Sequence, residues 1–213
     1  MNVRLVAYTP EPDVICGKAA AICTASDSPY QALRGAMASG HESVIEHSYF
    51  TFYIEDVSRV LLAQITRHRL ASFSVESQRY CSVKPEWIIP QTIKDAGMGE
   101  AYLRKCDEAY KFFLEMVEAG VPAEDARYII PQGVTCKMMM SMNARELLHF
   151  FRLRTCNRAQ WEIRGLADKM LAICRHTAPE MFKRAGCACM INKPCPEGKR
   201  SCGHPRDISE VLK

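Results

Sequence analysis

No apolar run in the 213-residue chain approaches the roughly 18 residues of a membrane-spanning helix, which argues against an integral membrane protein. The opening segment MNVRLVAYTPEPD lacks the apolar core of a secretion signal, so a cytoplasmic protein is expected. Internal repeats and low-complexity linkers are absent as well. Aromatic side chains are scarce where the positive charge is densest. Between Arg67 and Arg79 there is only Phe73, thin support for a surface on which nucleic-acid bases stack. A helical zinc motif is missing too. GHESVIEH offers His41, Glu42, Glu46 and His47, but its histidines are six apart, not four.

What is present is ordinary for one globular core. The chain of 24.1 kDa is 48% hydrophobic and 24% charged, enough for one full core or at most two small ones. Eleven cysteines without an export signal read as thiols in a reducing compartment. Cys16, Cys23, Cys106 and Cys174 each stand alone in apolar stretches, as small buried hydrophobes do. The net charge of +4 is only a lean toward anionic partners. Its placement says more. Arg145 to Arg164 holds five arginines against two glutamates, and TRHRLASFSVESQRY, from Thr66 to Tyr80, holds three arginines and a histidine among hydroxyls.

Periodicity yields an α+β reading. NVRLVAY is an opening strand. PDVICGKAAAICT and YQALRGAMASG are helices, the second stopped by Gly40. A strand is expected over about residues 48–55, then a helix capped by Asp56 or Ser58 that runs through Val60, Leu61 and Ile65 to Arg67-His68-Arg69. A long helix begins near Ala101 and ends at Gly120. PAEDARYII is a short helix, TCKMMMS a strand, and Asn143 caps a helix to about Leu153. A last helix carries Ile163, Leu166, Met170, Ile173 and Cys174. After Gly186 the composition turns to Cys, Pro, Gly and Lys. One domain over 1–185 with a cysteine-rich tail over 186–213 is the economical organisation.

Cations and hydroxyls gathered at one helix end suggest an anionic ligand. Arg79 can grip a phosphate as a bidentate fork, with Ser74 and Ser77 donating beside it. Arg145, His149 and Arg152 recur at helical spacing on one nearly all-positive face, pointing to a second anion or to the same one. A serine nucleophile would need His68 or another base in contact, and the sequence shows none. In the tail, Cys187, Cys189, Cys195, Cys202 and His204 could enclose zinc, although the spacing is irregular. A basic nucleic-acid-binding protein with a zinc-binding tail is therefore the alternative class.

RHRLASFSVESQRY, with Arg-His-Arg followed by Ser77 and then Arg79-Tyr80, is similar to the motif of the flavin-dependent thymidylate synthases. GHESVIEH, GVPAEDARYIIP, MNARELLHFFRLR and AQWEIRGLA resemble further blocks of that family, in order and spacing, over about residues 29–180. The resemblance implies a central, mostly antiparallel sheet with flanking helices and an active site completed in a homotetramer. It implies conversion of dUMP to dTMP. Methylene-tetrahydrofolate would supply the carbon and NADPH-reduced FAD the hydride, with no covalent enzyme nucleophile. Small-molecule nucleotide and folate substrates are implied; a metal, a nucleic acid and a membrane are not.

Carried over by that resemblance, FAD would contact Ser43, Glu46, Arg67, His68, Arg69, Asn143, Arg145 and His149. The nucleotide would be held by Gln64, Arg67, Val75, Glu76, Ser77, Gln78, Arg79, Arg127 and Arg154. Arg154 would be catalytic, its cation stabilising charge on the N3/O4 side of uracil so that C5 becomes nucleophilic. Three positions depart from the family pattern. His149 stands where asparagine is common, Arg158 where histidine is common, and Ser43 where threonine is often found.

Overall fold

Alternation along two strands sets the core. In YFTFYI the side chains of Phe50, Phe52 and Ile54 are buried, and in TCKMMMSM those of Cys136, Met138, Met140 and Met142. Period-two burial puts one face of each strand inward. It also explains how a methionine run makes a strand. Its alternate members are unbranched fillers of an irregular core, whereas Met139 between them is exposed.

The protein was analysed as a computed structural model that describes residues 1–80 and 85–211; Cys81 and the last two residues of the C-terminal segment lie outside that range. The elements in chain order are β1 (Asn2–Tyr8), α1 (Pro12–Thr24), α2 (Pro29–Ala38), a 3-10 segment (Glu42–His47), β2 (Tyr49–Ser58), α3 (Arg59–Ile65) and β3 (Ala71–Val75). They continue with α4 (Gln91–Asp95), α5 (Gly99–Glu118), α6 (Ala123–Ala126), β4 (Thr135–Asn143), α7 (Ala144–Arg154), α8 (Trp161–Thr177) and α9 (Pro179–Phe182). The strands form one antiparallel sheet in the order β1-β2-β4-β3, with helices flanking it. That is the α+β architecture expected. No helix among the described residues is long and apolar enough to cross a membrane.

Several local expectations hold for the stated reasons. Gly40 adopts φ 76° just past α2, and the amides of Gly40 and His41 bond back to Met37 and Ala36, closing the helix in a Schellman turn. Ser58 Oγ accepts from the Leu61 amide, whereas Asp56 takes a left-handed φ of 56° and caps nothing. Others need correction. The α3 helix stops at Ile65, so Arg67-His68-Arg69 lies beyond it. The following ASFSV, to which periodicity assigned no element, is β3, at one end of the sheet order. An edge position tolerates the exposed Ser72 and Ser74 on its outer face. PAEDARYII divides into α6 and a 3-10 turn, Arg127–Ile129.

The chain forms two compact units: Met1–Asn2, Ile54–Ile65 and Ser74–Met139 make the first, and Val3–Tyr53, Thr66–Phe73 and Met140–Lys213 the second. In the first, Ile54, Val57, Leu61, Ile65, Cys136 and Met138 are buried. In the second, Phe182 meets Phe50 and Phe151 edge to face at 5.5 and 5.9 Å, an arrangement that the ring quadrupoles favour. The α1 and α2 helices pack closely there because residue 17 is glycine. A Cβ on Gly17 would lie 2.6 Å from the Pro29 carbonyl oxygen.

The segment after Gly186 is folded, in short 3-10 turns at Ala188–Ile191, Gly198–Arg200 and Ile208–Glu210. Arg206 anchors it. Its buried guanidinium donates to the Thr155 carbonyl (2.7 Å), to Asp168 (2.9 Å) and to Glu210 (3.0 Å). Removing the donor strands a buried carbonyl and a carboxylate. Arg206→Ala is therefore expected to cost about 2–4 kcal/mol, with Arg206→Lys in between, measured by urea unfolding. A loss below about 0.5 kcal/mol would show that the segment is not held this way.

Candidate active site

The second unit contains a buried polar relay. Asn143 ends β4 and caps α7, its side chain accepting from the Glu146 amide at 2.9 Å. In a capping box the third-position glutamate turns back to the cap. Here Glu146 is diverted: its carboxylate lies 3.0 Å from His68 Nδ1, and both side chains are buried, at 7% and 3% exposure. On the other side of the ring, Arg154 Nε lies 3.1 Å from His68 Nε2. The ring stands edge-on to Phe150 at 5.0 Å.

These contacts fix the tautomer. A guanidinium can only donate, so Nε2 must accept, and the proton resides on Nδ1, where it is donated to Glu146. Burial, followed by the neighbouring Arg154 charge, pushes the His68 pKa below its ordinary value, although the bond to Glu146 opposes this. The neutral ring follows. Burial, then the charge of Arg67, also lowers the proton affinity of Arg154, which stays cationic because the guanidinium starts so high.

The relay forms part of the wall of a cavity of about 1120 Å³, beyond the roughly 300–1,000 Å³ of a single small-ligand pocket. Arg67, Arg69, Arg152, Arg154, Arg158 and Lys193 line it, against the carboxylates of Glu146 and Glu197. His68, His149 and four cysteines (Cys156, Cys187, Cys189, Cys195) complete its polar and sulfur lining. The excess of cations in a concave site suits a large, multiply charged anion, and a dinucleotide such as FAD fits that donor set.

Four of the eight residues assigned to FAD (Arg67, His68, Arg69 and His149) line this cavity. The others lie at the start of α7 and on the 3-10 segment. Arg145 is ion-paired with Glu46, Arg152 with Glu42 at 3.3 Å, Asn143 serves as cap, and Ser43 is exposed. The positive face of α7 is thus answered partly by its own chain. Of the nucleotide set, Arg67 and Arg154 also line the cavity.

The remainder belong to the first unit. There Glu76, Ser77 and Gln78 line a small recess with Arg59, which donates to the Glu76 carbonyl at 2.6 Å. Val75 ends β3 and Gln64 lies in α3. Arg79 and Arg127 converge on Glu124, through a 2.7 Å ion pair and a 3.1 Å bond to its carbonyl.

His68, Glu146 and His149 place ligand atoms within 4.8 Å of one another, the one such trio of His, Cys, Asp or Glu among the described residues. A metal there would need a lone pair from His68. Nδ1 carries the proton given to Glu146, and Nε2 is taken by Arg154. For the same reason His68 is no base for a serine. Glu42 and Glu46 of GHESVIEH face arginines. Glu146 escaped the sequence reading, although a glutamate three residues after a capping Asn143 is a recognisable mark.

A family model described as "Thymidylate synthase complementing protein" matches residues 4–180. The chain belongs to this family. Proteins named "Flavin-dependent thymidylate synthase" are similar to it along most of its length. The one from Geobacter sulfurreducens is 39% identical over all of this chain and 98% of its own. That from Clostridium tetani is 37% identical over 99% and 96%, and that from Nitratidesulfovibrio vulgaris 44% identical over 78% and 72%. The family model stops at residue 180, yet the Geobacter sulfurreducens protein aligns through the cysteine-rich segment. In this family member the relay of Glu146, His68 and Arg154 thus lies within the matched region, and three of the four wall cysteines, Cys187, Cys189 and Cys195, lie beyond it.

Because the folded His68 pKa lies below the ordinary 6.5, the unfolded chain binds a proton that the native chain refuses between the two values. Stability from this group is complete above about pH 6.5 and is lost as pH falls through the folded value. Protonation would also turn Nε2 into a donor facing Arg154. His68→Gln should remove an acid-side slope of at most about 1.4 kcal/mol per pH unit in urea titrations across mildly acidic pH. Identical slopes for both proteins would contradict a neutral His68.

Proposed function

We propose that the protein makes dTMP from dUMP, using methylene-tetrahydrofolate as carbon donor and NADPH-reduced FAD as hydride carrier, without a covalent enzyme nucleophile. The observation that carries this reading is a cationic arginine, Arg154, held by a buried neutral histidine in the wall of a cavity large enough for more than one anion. The concave placement of the arginines favours small anionic ligands over an extended nucleic acid, for which an exposed basic strip would serve.

When bound, FAD supplies the hydride chemistry; the chain's own residues bind and polarise. Arg154 lines the cavity, with its Nε tied to His68. Placed at the N3/O4 edge of uracil, it stabilises the negative charge that develops there and makes C5 nucleophilic. His68 fixes the Nε end of the Arg154 guanidinium, and Glu146 prevents the ring from turning. Arg67 and Arg69, exposed on either side of His68, are free to reach phosphates, with Ser43, Glu46, Asn143, Arg145 and His149 assigned to the flavin side. In the first unit Gln64, Val75, Glu76, Ser77, Gln78, Arg79 and Arg127 are assigned to the nucleotide.

The enzyme is proposed to act as a cytoplasmic homotetramer. Large apolar side chains exposed in the first unit, among them Phe112, Val117 and Tyr128, supply surface that association would cover. Light scattering should return four times the chain mass; a monomer at micromolar concentration would overturn the assembly.

The decisive assay is dTMP formation from dUMP, NADPH and methylene-tetrahydrofolate under low oxygen, with and without added FAD. Product is expected only with the flavin present. Arg154→Ala should lower turnover by at least about 100-fold, as loss of one oxyanion-type donor does, while the visible flavin spectrum persists. Parallel loss of flavin and activity would remove Arg154 from the catalytic role.

A further inference from the structure

The sulfur in the cavity wall is not used by this chemistry. Cys187 and Cys189 flank Ala188 at the start of a 3-10 turn, and their Sγ atoms are 3.4 Å apart. Both line the cavity. Cys187 is buried, 2% exposed, and its amide donates to Thr155 Oγ1 at 2.8 Å. Cys189 is half-buried, and its sulfur accepts from the Arg206 amide at 3.3 Å. Arg206 is itself fixed by Thr155 and Asp168, so that donor is held in place.

A closed zinc site needs four ligands in a tetrahedron. Among the described residues no third His, Cys, Asp or Glu atom joins these two sulfurs within 4.8 Å of both. Cys202 turns instead to the His204 carbonyl, at 3.3 Å. What the fold assembles is a pair.

We propose that Cys187 and Cys189 form a thiol–disulfide exchange site opening onto the cavity, with small-molecule disulfides of low-molecular-weight thiols as the oxidant. The Cys189 thiolate attacks one sulfur of R–S–S–R; a Cys189–SR bond forms, and RS⁻ leaves and takes a proton from water. Cys187 then gives up its proton to water and attacks Cys189 Sγ. The Cys187–Cys189 bond forms as the second RS⁻ departs. Two protein thiols are oxidised and one small disulfide is reduced to two thiols.

The order follows from the surroundings. Burial, and then the neighbouring Cys189, push the Cys187 thiol up to about 11, so Cys187 keeps its proton at neutral pH and acts second. Ring closure is the slower step and quickens as pH rises. A disulfide across a single intervening residue is constrained, and constrained disulfides have oxidising potentials. The dithiol is therefore the resting form in a reducing compartment and the disulfide is readily reversed. Closing the pair to the ~2.05 Å of an S–S bond draws the cavity wall inward at this point.

The test uses the full-length protein, reduced and then exposed anaerobically to glutathione disulfide at neutral and at mildly alkaline pH. Remaining thiols are alkylated, and the tryptic peptide from Ala185 to Lys199, which also contains Cys195, is read by mass spectrometry. Cys187 and Cys189 should be joined, lighter by two hydrogens and unalkylated, while Cys195 in the same peptide and the exposed Cys23 are alkylated. The yield should rise with pH, reverse with dithiothreitol, and fall by at least about tenfold in Cys189→Ser. Cys187 and Cys189 alkylated as fully as Cys23 in the wild-type protein would overturn the proposal. So would a bond from either to Cys195, or a glutathione adduct on Cys189 that never closes. Because the readout is thiol chemistry, it stands or fails independently of dTMP formation.

Discussion

A neutral, buried imidazole between a carboxylate and a guanidinium is the constraint on which the site depends. Each member of Glu146–His68–Arg154 would be costly alone in that environment, since a buried charge without a partner costs several kcal/mol. Together, each is answered by the next, and the order of donors and acceptors admits one tautomer. Glu146 and Arg154 belong to one rigid helix, at its first and last turns. The imidazole is therefore held by side chains that reach it from both ends of α7. A shift of that helix would break both bonds at once.

From this relay the electrostatics of the cavity follow. Arg154 is tied through its Nε to a neutral acceptor, His68. By contrast, Arg145 and Arg152, on the exposed side of the same helix, pair with Glu46 and Glu42 of the segment ahead of β2. One helix thus carries arginines of two kinds. Those facing the acidic segment are largely neutralised. Arg67, Arg69 and Arg154 add positive charge to the cavity wall, where Arg158 is ion-paired with Glu197 at 3.6 Å. The C-terminal segment closes the far wall, and Arg206 holds it by bonding a carbonyl at the end of α7 and a carboxylate of α8. Sulfur reaches the site on that segment.

Much of this was legible in the sequence where local chemistry decides the outcome. Asn143 announced the start of α7, Gly40 the end of α2, and alternating phenylalanines the strand β2. The Arg-His-Arg stretch stood out as a gathering of cations, and its spacing to Ser77 and Arg79 was enough to suggest the family that the comparisons show. Less was legible where two segments compete. ASFSV drew no assignment because its alternation is short and half polar, and only pairing as an edge strand stabilises it. The helix expected to carry Arg67-His68-Arg69 ended earlier, since its apolar run ends at Ile65.

Residue types and near-neighbour spacing determined the elements, the excess of cations, and the identity of the residues able to grip an anion, because these depend on contacts within a turn or two of chain. The tertiary structure alone decided which cations stay available. Glu146 and His68 are 78 residues apart, and Arg154 and His68 are 86 apart. No pattern along the chain reports a hydrogen bond closed over such a distance. It also decided that the C-terminal cysteines reach the cavity as an adjacent pair, because burial of Arg206 folds that segment back onto α7 and α8, and the free energy of that burial is spent between residues the sequence keeps far apart.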